Sequence, residues 1–249
     1  MGKRLIHLTS ASLAGVLLAA IGAIIGASPA TSAPVIQPGS SLEFGDSFCT
    51  ANWVYDGGGG PYIGAAAHCA TGVGQRVDLA TGSLGSSIEP IGTVAYISSS
   101  LDFLLVRLDA GVLSQVSAAM AGHPSIPTGV STPSSAKQGD LIQFSGHGVV
   151  FDFTTVTQQQ RVGVFNFFDS GNQYVIGAVT PGDSGGPVAD LTDGNKAIGI
   201  VDTVGVTVAP EGVNVGEAGV AVYALLQDAA AHGFSISLRT VVVNVDSMR

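Results

Sequence analysis

Between residues 40 and 215 the chain never keeps a helical period long enough to line one face of a helix with apolar side chains. Short apolar runs, each stopped by Gly, Pro, Asp or Ser, recur in its place. They occupy Phe48 to Tyr55, Tyr62 to Ala66, Gln75 to Leu79, Ile91 to Ile97, Phe103 to Leu108, Leu141 to Phe144, Gly163 to Phe168, Tyr174 to Val179, Pro187 to Ala189, Ala197 to Val201 and Gly219 to Tyr223. Many short strands at near-regular spacing, with turn residues between them, call for sandwiches or barrels and exclude alternating parallel β/α units. The 35 glycines and the low charged fraction of 11% push the same way, toward strands and tight turns.

Two interruptions organise the chain. Ser114 to Asp140 is rich in Ser, Ala and Pro and shows no alternation, so it reads as a crossover between two β halves. Tyr223 to His232 carries Leu225, Leu226 and Ala229 to Ala231 and stops at Gly233, which predicts a helix with a glycine beyond its C-terminus. The expected division is an export segment over 1–33, an N-terminal barrel over 34–120 and a C-terminal barrel over 121–249 that ends in a helix and tail.

The first of these pieces has a positive start at Lys3 and Arg4, an apolar run from Leu13 to Ala27, and small residues through Ala33. Cleavage after Ala30 or Ala33 is expected; an uncut anchor is the alternative, and only then would the protein associate with a membrane. Without Lys3 and Arg4, 7 basic residues face 18 acidic ones, a net charge of −11. So acidic an exported chain is a poor ligand for nucleic acid or anionic lipid. The roughly 216 remaining residues suffice for one large or two smaller β cores. Only Cys49 and Cys69 are present, and an oxidising compartment favours their pairing over two separate buried thiols.

The strongest chemical signal is Gly182-Asp183-Ser184-Gly185-Gly186-Pro187, set between two strand candidates. A serine hydroxyl is a poor nucleophile at neutral pH and needs an adjacent base. Flanking glycines let the chain turn sharply, so that the N–H groups of Gly182 and Ser184 converge where an oxyanion would form. Taken alone the stretch is equally an ordinary turn. Upstream, however, an apolar strand leads into Ala66-Ala67-His68-Cys69, and Asp102 opens the apolar run Phe103 to Leu108. His68 is placed to act as general base, and Asp102 to fix its tautomer.

These segments together resemble the chymotrypsin-like (trypsin-superfamily) serine peptidases of the bacterial secreted type, in that family's His, Asp, Ser chain order. Cys49 and Cys69 match its histidine-loop disulfide. The resemblance implies an all-β fold of two antiparallel six-stranded barrels, a catalytic cleft between them and a short C-terminal helix. It implies a serine endopeptidase working through an acyl-enzyme, with a polypeptide substrate, no cofactor, no metal and a monomeric state. An esterase would use the same machinery. A catalytically silent binding scaffold is the alternative from another class.

Two departures from the family pattern favour that alternative. The chain lacks the usual new N-terminus that would pair with Asp183, and the place where bacterial relatives keep an internal arginine aligns with Phe144; His147 and Arg161 are the candidate partners. The strand expected to pair with substrate puts Asp202, or with a bulge Thr203, where the family offers a serine to the catalytic acid. A second carboxylate beside Asp102 would raise the pKa of one of the two. By the same resemblance the specificity pocket falls on Ala178, Asp202, Thr203, Val204 and Gly219. The three places that would form its floor and walls, Ala178, Val204 and Gly219, carry no charge, which predicts cleavage after small or medium apolar residues. Asp190 and Asp193, within Asp190 to Asn195, read as a hairpin turn.

Overall fold

The computed structural model describes residues 35–81, 87–148, 159–209 and 212–241, with side chains throughout except at 159 and 204–215. The expected export segment over 1–33 lies outside the described residues. The strands are β1 (Ser41–Phe44), β2 (Ser47–Thr50), β3 (Val54–Gly57), β4 (Gly60–Ala65), β5 (Arg76–Thr81), β6 (Ser87–Ile97), β7 (Leu104–Leu108), β8 (Leu141–Gly146), β9 (Gln159–Asp169), β10 (Asn172–Gly177), β11 (Pro187–Asp190), β12 (Lys196–Ile200), β13 (Thr203–Ala209), β14 (Gly212–Val220) and β15 (Ile236–Leu238). One α-helix, α1, spans Val222–Ala231.

The strands form two antiparallel sheets, one ordered β15-β3-β4-β7-β6-β5-β1-β2 and the other β12-β11-β8-β9-β10-β14-β13. In each, two consecutive strands lie at or near opposite edges. Residues 51–53 carry the chain from β2, on β1, to β3, on β4: Ala51 N–H bonds Ser40 O and Asn52 N–H bonds Gly64 O, each at 2.8 Å. Val201 and Asp202 do the same between β12 and β13, and a bridge from Gly199, in β12, to Ala221, just past β14, ties the β12 edge back to that end of the sheet. Each sheet is therefore curled shut by one bent strand. With each bent strand counted once, and β15 set aside as a late addition on β3, each sheet has the expected six strands.

The β7 sequence explains why these strands read as solid apolar runs. Leu104 and Val106 point into the first barrel, while Phe103 and Leu105 join Trp53, Ile200, Val220 and Leu225 in a second core between the sheets and α1. With both faces buried over 103–106, that stretch is apolar at every position, and Arg107 is the exposed exception in β7. Trp53 Nε1 bridges the sheets by donating to Gly199 O at 3.1 Å. A third core, built on Ile142, Phe144, Phe165, Val188 and Ile198, fills the second barrel. The Ser114–Asp140 segment holds no named strand, and a 3₁₀ turn over Ala110–Gln115 leads into it.

Candidate active site

The register of β4 against β7 pairs Ala65 with Leu104. His68, in the 3₁₀ turn Ala67–Cys69 just past β4, and Asp102, two residues before β7, are thereby delivered to the same end of that strand pair. Asp102 Oδ2 lies 2.5 Å from His68 Nδ1, and Oδ1 accepts the His68 backbone N–H at 2.9 Å. With Nδ1 turned to the carboxylate, Nε2 is the free basic nitrogen.

Ser184 reaches this corner from the other sheet. The turn carrying it sits under Thr50, whose N–H bonds Ser184 O at 2.8 Å and whose Oγ1 donates to Gly182 O at 2.7 Å. Gly185 has φ 85, and a Cβ there would stand 2.6 Å from both Ala66 N and Thr50 O, so only glycine lets the turn approach so closely. Cys49 and Cys69 are bonded to each other. That bridge ties Thr50's neighbour to His68's neighbour, linking the segment that holds the Ser184 turn to the one that carries His68. Thr50 is a contact of the Ser184 turn that the sequence does not single out; its sole signal is adjacency to Cys49.

In the turn, Asp183 N–H bonds Thr180 O, Gly185 N–H bonds Val201 O and Gly186 N–H bonds Asp183 O. Gly182 and Ser184 donate no N–H bond among the described residues, which leaves the pair expected to form an oxyanion site available. Asp183 is almost wholly buried. Its Oδ1 pairs with Arg161 Nη2, and its Oδ2 accepts the Thr180 N–H at 2.7 Å. Arg161 lies on β9 directly opposite Phe144, so the cation arrives from the strand next to the one where the family pattern had placed it. Ser184 Oγ has no hydrogen bond to His68 among the described residues; such bonds are often long until substrate binds.

No protein-family model and no curated protein matches the sequence. Two solved structures superpose on it with a TM-score of 0.55 each. One is protease A of Thermobifida fusca; the other is a glutamic-acid-specific serine protease said to use a histidine triad in substrate binding. Each is 20% identical to the chain, and each alignment covers 82% of this chain and 100% of the neighbour. The chain has the chymotrypsin-like fold.

Two cavities of this chymotrypsin-like fold share Asp202 and Thr203 in their linings, and one of them reaches Ser184. The smaller, about 200 Å³, is walled by Val179, Thr180 and Pro181 on one side and by Val201, Asp202 and Thr203 on the other, with Ser184 between. The larger, about 370 Å³, opens beside Asp102 and is lined by Ser100, Asn172, Tyr174 and Gly219, again with Asp202 and Thr203. Several positions differ from the expected pocket. Ala178 is exposed and the smaller cavity takes Val179 and Thr180 instead; Gly219 lines the larger cavity; the Val204 side chain lies outside the described residues. Gly185 N–H bonds Val201 O and Val201 N–H bonds Gly186 O, which sets Val201 and Asp202 beside the Ser184 turn.

Both alternatives for the position beside Asp102 line the larger cavity with it, and Asp202 is the more buried of the two. Its Oδ2 accepts the Val220 N–H at 2.9 Å, whereas Thr203 is exposed and donates to Ala218 O. Asp202 Oδ1 is shut off from solvent without a partner among the described residues. Burial, then the Asp102 charge, push its carboxyl up to about 8 against the opposing Val220 bond. Behind it, Glu217 is buried and accepts from Gln173 Nε2 at 2.6 Å. Burial first, then Asp202 and Asp183, hold its carboxyl well above the usual range. The Asp190–Asn195 segment is the expected turn: Asp190 Oδ1 accepts the N–H groups of Thr192 and Asp193.

Proposed function

We propose that this protein is an exported serine endopeptidase that cleaves after small or medium apolar residues. One observation carries the reading: a His68–Asp102 pair from the first sheet and a Ser184 turn with two undonated N–H groups from the second are brought together by Thr50 and the Cys49–Cys69 bridge. Ser184 Oγ attacks the scissile carbonyl while His68 Nε2 takes its proton, and Asp102 stabilises the imidazolium. The oxyanion lies against the Gly182 and Ser184 N–H groups, a contribution of roughly 3 kcal/mol or more. His68 then hands the proton to the leaving amine, and water repeats the sequence on the acyl-enzyme.

The specificity rests on the smaller cavity. Val179, Pro181 and Val201 make much of its wall, and about 200 Å³ exceeds the roughly 150 Å³ that admits benzene in an engineered core. A cationic side chain entering while Asp202 is protonated would lose its hydration without gaining a partner. The histidine triad named for the glutamate-specific neighbour has no counterpart in this lining. Arg161 supplies the partner of Asp183, which removes one of the two grounds for a silent scaffold. The export reading draws on the apolar N-terminal segment and the disulfide.

A peptide-library digest at pH 6.5 with the purified protein tests the proposal. Cleavage after Ala, Val or Leu, abolished in Ser184→Ala, is the expected result. Cleavage dominated by Lys or Arg would refute the pocket assignment, and digestion unchanged by Ser184→Ala would refute the mechanism.

A further inference from the structure

Among the described residues Asp202 is the one carboxyl-bearing residue that lines both cavities, and its two oxygens are unequally served. Oδ2 has the Val220 N–H; Oδ1 is sealed from solvent with no donor among the described residues. The titratable groups facing it are Asp102 from the loop before β7, with His68 bound behind it, Glu217 from β14 and Tyr174 from β10. Asp183 stands beyond Glu217, already paired with Arg161. No cation among the described residues bonds to Asp202 or Glu217.

Asp102 and Asp202 line one cavity, and the Asp102 charge disfavours a second negative charge on Asp202. One N–H bond, from Val220, serves the Asp202 carboxyl, so little in its surroundings holds it ionised. A protonated Asp202 leaves the cavity beside Ser184 neutral, with Val179, Pro181 and Val201 as its dominant surface. An ionised Asp202 puts a negative charge in that same wall, where a Lys or Arg side chain of the substrate would pair with it.

We propose that Asp202 is a specificity-determining residue whose protonation state selects the substrate side chain, apolar when it is neutral and cationic when it is ionised. The proposal rests on the peptidase reading above and adds to it a pH-dependent preference set by one group. Burial and the neighbouring Asp102 charge place the change at about pH 8. A lysine side chain remains charged there, since its ordinary pKa is about 10.4.

The test uses two chromogenic peptides identical except for Leu or Lys at the residue before the scissile bond. Their kcat/KM values are measured from pH 6 to pH 9.5 with the wild-type protein and with Asp202→Asn, which keeps the shape and cannot ionise. In the wild type the Lys-to-Leu ratio should rise about tenfold or more through pH 8, the effect of one favourable charge pair. In Asp202→Asn the ratio should stay level. A level ratio in the wild type, or a rise that survives in Asp202→Asn, overturns the inference. The wild-type curve decides the matter even if the variant misfolds. Labelling by a fluorophosphonate separates the two readings. A labelled enzyme with a level ratio defeats this inference alone, whereas a protein that neither labels nor cleaves defeats the peptidase reading and this inference with it.

Discussion

At the scale of single residues, the site is dominated by carboxyl groups whose surroundings differ. Asp202 is held up to about 8 and Glu217 is held above its ordinary range, both chiefly by burial. A carboxyl raised on folding keeps a proton the unfolded chain has released. Stability is therefore greatest below the unfolded value near 4 and declines as pH rises toward the folded one, by up to roughly 1.4 kcal/mol per pH unit per group. Glu217→Gln keeps the acceptor for Gln173 and removes the penalty, so it should stabilise the protein more at pH 8 than at pH 5. Urea unfolding at the two pH values checks this, and equal gains would contradict it. Arg161 behaves oppositely: Arg161→Met leaves Asp183 buried and unpaired, at an expected cost of about 3–5 kcal/mol and with a large fall in kcat/KM. Unfolding midpoints and steady-state kinetics measure both effects. The triad candidates could be named from sequence because each sits beside its own strand signal, whereas the position beside Asp102 stayed open between Asp202 and Thr203, since spacing along a strand does not reveal a bulge. Arg161 was only one of two candidates, because linear spacing compares residues along one strand, whereas this cation works across a ladder from opposite Phe144.

Among the elements, most strands agree with the sequence reading, and the exceptions share physical causes. Phe48 to Tyr55 reads as one strand but is β2 and β3 with a bend between, since apolar residues are needed on both sides of the bend. The short strands β1 and β15, Ser-Leu-Glu-Phe and Ile-Ser-Leu, are too brief for a pattern to emerge. Gly219 to Tyr223 reads as a strand, yet β14 ends at Val220 and α1 begins at Val222, because a short apolar run fits either period. The helix end is correct: Gly233 has φ 88, with Phe234 N–H on Ala229 O and Gly233 N–H on Ala230 O. A Cβ at Gly233 meets nothing within 4 Å, so Gly233→Ala costs only backbone strain, about 1–2 kcal/mol in thermal or urea unfolding, without loss of activity. Loss of the bridge should do both. The double substitution of Cys49 and Cys69 by Ala should cost about 3 kcal/mol and lower kcat/KM, because Thr50 and His68 lose their common tether. Full activity in a destabilised variant would show the bridge to be structural alone.

For the molecule as a whole, the two curled sheets meet through Trp53, Leu105, Ile200 and α1, and β15 returns the chain end to the first sheet. That return was not visible in a reading that gave the whole tail to the second half. Neither sheet alone carries Ser184, His68 and Asp102; the Thr50 bond to Ser184 and the shared core hold the Ser184 turn against the sheet that carries the other two. The most direct measurement of that assembly is the intact mass of the protein after exposure to a fluorophosphonate, which bonds only an activated serine. The wild type should gain a single adduct, mapped by peptide digestion to Ser184, and Ser184→Ala and His68→Ala should gain none. A wild type that takes no adduct, or a Ser184→Ala protein labelled to the same extent, would contradict the account.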